Sequence, residues 1–198
     1  MQRSLFALAL LAAVVARSTV RAAEDEPAVM SFKADPAHTS IVFRVKHMGV
    51  AWVHGRFNDF EGAGAFARSG AGASIGFTVK AASVDTNNEK RDTHLRSADF
   101  LDVEKFPTIE FASAAFDRVG ETDEYDVVGK LTLHGVTREI TARVVFNGET
   151  KNPDSGEVRI GFDARFVVDR SAFGIDYGIP GIGNEIETNV AAECVVSD

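Results

Sequence analysis

The chain has a single cysteine, Cys194, so no intramolecular disulfide can brace it and the domain must stand on its own core. Tryptophan and tyrosine are scarce, with one and two copies against 15 phenylalanines. A transmembrane β-barrel needs aromatic girdles at both membrane interfaces, and this composition argues against one. Beyond residue 16 no apolar run is long enough for a spanning helix, so no integral membrane span is expected. Metal signatures are absent too. There is no H-E-x-x-H, and His38, His47, His54, His94 and His134 never fall at i,i+2 or i,i+4. No metal and no cofactor are expected. The charge balance lacks cations, with 21 Lys and Arg against 29 Asp and Glu. Such a chain is poorly suited to gripping nucleic acid or an anionic lipid surface.

What is present begins with an N-terminal signal. Arg3 precedes Leu5–Ala16, an apolar core of 12 residues, and Val20-Arg21-Ala22 offers a cleavage site. Residues 1–22 therefore read as a secretory signal peptide, cut after Ala22, with 23–198 a single domain exported to the periplasm. Removing the signal takes Arg3, Arg17 and Arg21 with it, which leaves 18 basic residues against 29 acidic.

The domain is dominated by period-2 alternation. Ile41, Phe43 and Val45 alternate with Val42, Arg44 and Lys46, and Ile75, Phe77 and Val79 follow the same rule. Val158, Ile160, Phe162, Ala164, Phe166 and Val168 share one parity, opposite Arg159, Asp163 and Arg165. Further runs cover Ile140–Phe146 and Ile186–Cys194, with shorter ones at Met30–Ala34, Val53–Phe60, Thr108–Ala112 and Tyr125–Leu133. Each has one apolar and one solvated face, as a half-buried antiparallel strand requires. Val158–Val168 alone would extend roughly 37 Å, long for a sandwich strand. The fold class is all-β, an antiparallel barrel of about eight strands.

Helical signals are confined to residues 86–106. Thr86-Asn87-Asn88-Glu89 spells a capping box, Asp92 and Arg96 fall at a pairing distance of i,i+4, and Asp99 is placed to cap a second turn, Phe100–Glu104, before Pro107. Ser97 and Ser171 stand beside charges, as caps commonly do, and no nucleophile elbow is expected. Gly178–Asn184 is glycine-rich but precedes a strand, whereas a phosphate-cradling loop opens a helix.

Several blocks together resemble one family. They are "DPAHTSIVFRVKHMGV" (35–50), "HGRFNDFEG" (54–62), "SVDTNNEKRDTHLRSADFLDVEKFPTIEF" (83–111), "GKLTLHGVTREI" (129–140) and "VDRSAFGI" (168–175). In this order they are similar to the YceI-like family of exported lipid-binding proteins. The resemblance implies a lipocalin-like barrel holding a long apolar lipid, polyisoprenoid or isoprenoid-quinone-like, without catalysis. The expected pore lining is Phe43, Val45, Phe77, Phe111, Leu131, Phe146, Phe162, Ala164 and Phe166. Arg91, Asp92, His94 and Arg96 form either the polar end of the pore or a structural tie. An enzyme using His94 or His47 on such a lipid, a ligand-free structural or stress protein, and a homodimer stay open as alternatives.

Overall fold

The alternating runs become strands of one sheet in a computed structural model, which describes residues 29–197. The signal peptide reading lies outside the described residues. The strands are β1 (Met30–Ala34), β2 (Ser40–His47), β3 (Ala51–Phe57), β4 (Phe60–Phe66), β5 (Ser74–Lys80), β6 (Val84–Asp85), β7 (Thr108–Arg118), β8 (Glu124–Leu133), β9 (Val136–Lys151), β10 (Val158–Asp169) and β11 (Ile182–Ser197). One helix, α1 (Glu89–Arg96), crosses between β6 and β7.

All neighbours pair antiparallel, in the order β1-β4-β5-β7-β8-β9-β10-β11, and β11 returns to β1, which closes an eight-stranded barrel. The remaining strands β2, β3 and β6 extend the wall from β11. β1 pairs with β4 while β2 pairs with β3, so β1/β2 and β3/β4 each behave as one long strand broken midway. The first break is local chemistry. Asp35 accepts the Ala37 amide at 3.0 Å, a turn that Pro36 makes rigid.

Two sequence readings need correction. Val53–Phe60 is not one strand: β3 stops at Phe57, and β4, "FEGAGAF", was hidden because Gly and Ala carry no alternation to read. The helix cap is Asn88, whose side chain accepts the Arg91 amide at 3.0 Å, rather than Thr86. Thr86 is drawn away by the buried carboxylate of Asp92, which accepts both its amide and its hydroxyl.

One part of the barrel interior is solidly filled. Phe146 and Phe162 face each other across β9 and β10, and Phe66 packs on them at 4.8 and 5.0 Å between ring centroids. Phe32 joins at 5.6 Å from Phe162, and Tyr125 stands edge-on to Phe66 at 5.5 Å. Contacts of this kind contribute roughly 0.5–1.5 kcal/mol each beyond the area buried. Tyr125 is fully buried and donates its hydroxyl to the Arg68 carbonyl at 2.8 Å. Cys194 sits in the same cluster, where burial pushes its thiol pKa up to about 12 and leaves it inert.

Candidate ligand-binding site

Beyond the aromatic plug the barrel is hollow. A cavity of about 220 Å³ runs along the interior, walled mainly by aliphatic side chains and phenylalanines from β2, β3, β5 and β7–β11. A smaller void of about 40 Å³ continues toward the plug and shares Ile75, Phe77, Val144, Ala164 and Val190 with the main cavity. Protein interiors seldom leave gaps larger than a water molecule, so space on this scale makes the cavity the candidate binding site.

Why three of the phenylalanines, Phe43, Phe77 and Phe111, line this space instead of filling it follows from their neighbours. Phe43 stands opposite Gly55, and Phe77 opposite Gly62. A Cβ built on Gly55 would lie 2.3 Å from the Phe43 ring, and one on Gly62 would lie 2.6 Å from the Phe77 ring. The Phe111 ring covers Gly129 in the same way, at 2.4 Å. Each ring lies flat on a glycine of the adjacent strand, against the wall, and the lumen beyond it stays open. Phe146 and Phe162 have no such shelf. They face each other, project inward, and meet Phe66.

The expected lining residues therefore divide. Phe43, Val45, Phe77, Phe111, Leu131, Ala164 and Phe166 border the cavity; Phe146 and Phe162 belong to the plug, and only Phe162 touches the smaller void. Parity put all nine inside the barrel but could not tell rings that lie down from rings that stack.

None of Arg91, Asp92, His94 and Arg96 borders the cavity. Their contacts strap α1 to the chain before it. Arg91 donates to the Thr86 hydroxyl and carbonyl at 2.7 and 2.8 Å, and Arg96 donates to the Ala82 and Val84 carbonyls at 2.7 and 2.8 Å. The expected Asp92–Arg96 pair does not form, because both side chains find backbone partners nearer to hand. His94 bonds Asp99 at 2.8 Å and packs edge-on against Phe100 and Tyr177, each at 5.0 Å. Asp99 thus serves His94, while the following turn is closed by the Ser97 carbonyl, which accepts the Phe100 amide. What the connection does present to the cavity is apolar: Leu95, Phe100 and Leu101.

The family model described as "YceI-like domain" matches residues 32–194. The chain belongs to the YceI family. It is 35% identical over 196 residues to a UPF0312 protein of Pectobacterium carotovorum, covering 98% of each chain. A UPF0312 protein of Pseudomonas putida is 39% identical over 191 residues, 95% of this chain and 93% of that one. Among solved structures, a YceI protein of Campylobacter jejuni matches with a TM-score of 0.69 at 28% identity, over 77% of this chain and 90% of that one. A polyisoprenoid binding domain from Saccharophagus degradans shares the fold, with a TM-score of 0.65 at 15% identity over 85% and 99%.

Sequence reasoning missed the buried charged residue of this YceI site. Arg170 is 2% exposed and borders the cavity, the one buried charge there. Its guanidinium donates to four carbonyls, those of Gly183, Ile175, Tyr177 and Ile182, at 2.8–3.0 Å. Burial lowers its pKa, with Asp176 acting weakly in the opposite direction. A parity signal existed, since Arg170 continues the inward series of β10 by one more step after Val168. A G-x-S-x-G match was also passed over, at Gly72–Gly76. Ser74 there is exposed and opens strand β5, whereas a nucleophile elbow turns from a strand into a helix. It offers no nucleophile.

Proposed function

We propose that this YceI protein is an exported, non-catalytic carrier or sequestering protein for one long apolar lipid of isoprenoid type. The observation that carries this reading is the apolar cavity held open by phenylalanines lying on glycines, beside a plug that fills the rest of the barrel. The plug blocks one direction, so the lipid tail points toward Ala164 and its head toward Phe100, Ile175 and Arg170. A chain burying roughly 500 Å² of apolar surface gains on the order of 12 kcal/mol before ordering costs, enough for tight retention. The polyisoprenoid-binding domain of Saccharophagus degradans, which shares the fold, supports an isoprenoid over other apolar chains. Neither histidine considered for acid–base work borders the cavity: His94 bonds Asp99 and packs on aromatic rings, and His47 ends β2 exposed. Export rests on the apolar Leu5–Ala16 core.

Mass spectrometry of solvent extracts from the purified protein tests the reading. One unmodified lipid per chain is the expected result. A chemically altered lipid would point to an enzyme, and an extract without lipid from a protein saturated with isoprenoid lipid during purification would overturn the carrier.

A further inference from the structure

Overall acidity argues against an anionic surface, but the charge is unevenly placed. From Pro36 to Asn58 there is no Asp or Glu, while Arg44, Lys46 and Arg56 all lie on the β2–β3 hairpin. Phe43 and Val45 point into the cavity, so Arg44 and Lys46 face outward, opposite His54 and Trp52. The Trp52 ring lies under both cations, 4.3 Å from each. Glu187 of β11 pairs with Arg44, and Asp85 of β6 stands across from Arg56. The lysines that form salt bridges among the described residues are Lys80 and Lys105, which leaves Lys46 without an acidic partner.

The hairpin ends in an apolar tip. The Val50 amide donates to the His47 carbonyl at 3.1 Å, and Met48 (φ 52°) and Gly49 (φ 70°) both adopt left-handed backbone. Asn, Asp or Gly suits the first such position, and methionine is strained there. The β8–β9 hairpin repeats the geometry with His134 (φ 51°) and Gly135 (φ 73°), but His134 is used within the fold. Its Nδ1 lies 3.2 Å from the Phe173 carbonyl, and its ring packs on Phe106. Met48 and Val50 instead stand 65% and 85% exposed. Tyr177 and Ile179 are exposed on the loop beside them, tied by a bond of 2.6 Å from the Met48 amide to the Gly181 carbonyl. Tyr177 packs on Phe100 at 5.2 Å, so the patch touches the cavity wall directly.

We propose that this end of the barrel docks on an anionic lipid bilayer. Met48, Val50, Ile179 and Tyr177 enter the headgroup region, while Trp52 and Lys46 sit at the interface. Trp and Tyr favour that boundary, and a basic residue near it is attracted by anionic headgroups. A narrow apolar tip beside cations buries little area against a folded partner, but a bilayer needs only a few inserted side chains. Docking goes beyond the carrier reading and does not depend on cargo, because empty vesicles report it.

Purified protein is floated with phosphatidylcholine vesicles, with and without phosphatidylglycerol. Binding is expected to the anionic vesicles and to weaken with salt. The double variant Met48→Asn, Val50→Ser should lose at least about tenfold in partitioning. Its melting temperature should hold or rise, since asparagine suits the turn better than methionine. Lys46→Gln should cost about fivefold on anionic vesicles only. Val167→Ser, which removes an exposed apolar residue elsewhere, should change nothing. The proposal falls if the wild type floats with neither vesicle, or if the double variant binds as well as the wild type. It also falls if the double variant merely turns a dimer into a monomer with flotation unchanged, which would make the tip a contact between copies.

Discussion

Replacing Ala164 by phenylalanine separates a hollow barrel from a filled one. Ala164 borders both the main cavity and the smaller void behind it, between Val144 of β9 and Val190 of β11. The added ring would project into the junction of the 220 Å³ cavity and the 40 Å³ void, where Ala164 now leaves space. Burying it contributes roughly 1.5–3 kcal/mol, and strain from an imperfect fit costs about 1–3 kcal/mol. The two nearly cancel, so the lipid-free variant should melt within about 5 °C of the lipid-free wild type. In a packed interior the gain vanishes and the strain stands alone at its upper end or beyond. The lumen, by contrast, is cut in two. Bound lipid, counted by mass spectrometry, should fall to a small fraction of the wild-type complement. Ligand that binds only the native state raises its melting temperature, so the difference between loaded and stripped wild type should disappear in the variant. A variant that folds normally and keeps its full lipid complement would refute this placement of the pore.

Three further outcomes follow from particular contacts. Gly62→Ala puts a methyl group where the Phe77 ring now rests, which forces the ring into the lumen. Lipid occupancy should drop, and adding Phe77→Leu should restore it; lost occupancy without rescue would show that the glycine matters for another reason. Asp92→Ala strands the Thr86 amide and should cost about 1–3 kcal/mol, seen as a lower melting temperature together with faster lipid loss. An unchanged melting temperature would remove Asp92 from the strap. Asp35 is held at about 2 by hydrogen bonds from His38, the Ala37 amide and Arg159. Its pKa is depressed, so the stability it lends is complete above about pH 4 and disappears as pH falls toward 2. His38, raised by the same pair, works in the opposite sense and lends stability that fades as pH rises through its folded value. A melting profile should therefore drop between pH 4 and 2, and Asp35→Asn should flatten that drop; parallel profiles would contradict the assignment.

Much of this architecture was legible because side-chain alternation is a property of each strand alone. Phe43, Phe77 and Phe162 were placed inside the barrel by parity, and all three are there. For Phe43, Phe77 and Phe111 the ring lines the space because a glycine of the adjacent strand lies beneath it, which a single strand does not reveal. Glycine opposite Phe43 and phenylalanine opposite Phe162 become visible only once register is known. The charged run at 90–96 misled for a related reason. Its spacing suggested side chains pairing with each other, yet Arg91 took the Thr86 carbonyl between β6 and α1, and Arg96 took the carbonyls of Ala82 and Val84, before and within β6. Backbone groups are acceptors at every residue, so sequence spacing says little about which of them an arginine will choose.

On the proposed carrier reading, the division between plug and cavity lets one barrel serve both stability and binding. A carrier must survive with its lumen empty, when the rings along the cavity have little to pack against. The plug meets that need on its own: Phe32, Phe66, Tyr125, Phe146 and Phe162 interlock around Val127, Ile160 and Cys194 without any contribution from cargo. At the far end Arg170 does comparable work with polar contacts, gathering four carbonyls of residues 175–183 around one guanidinium. An apolar side chain of equal volume would leave those carbonyls unpaired next to a hydrophobic lumen, at a cost of the order of 1–3 kcal/mol for each one left buried. The wall between these two fixtures is then free to stay unfilled. Its glycines serve that end, because each removes a Cβ where a ring must lie flat, and the space so released is what a lipid chain can occupy.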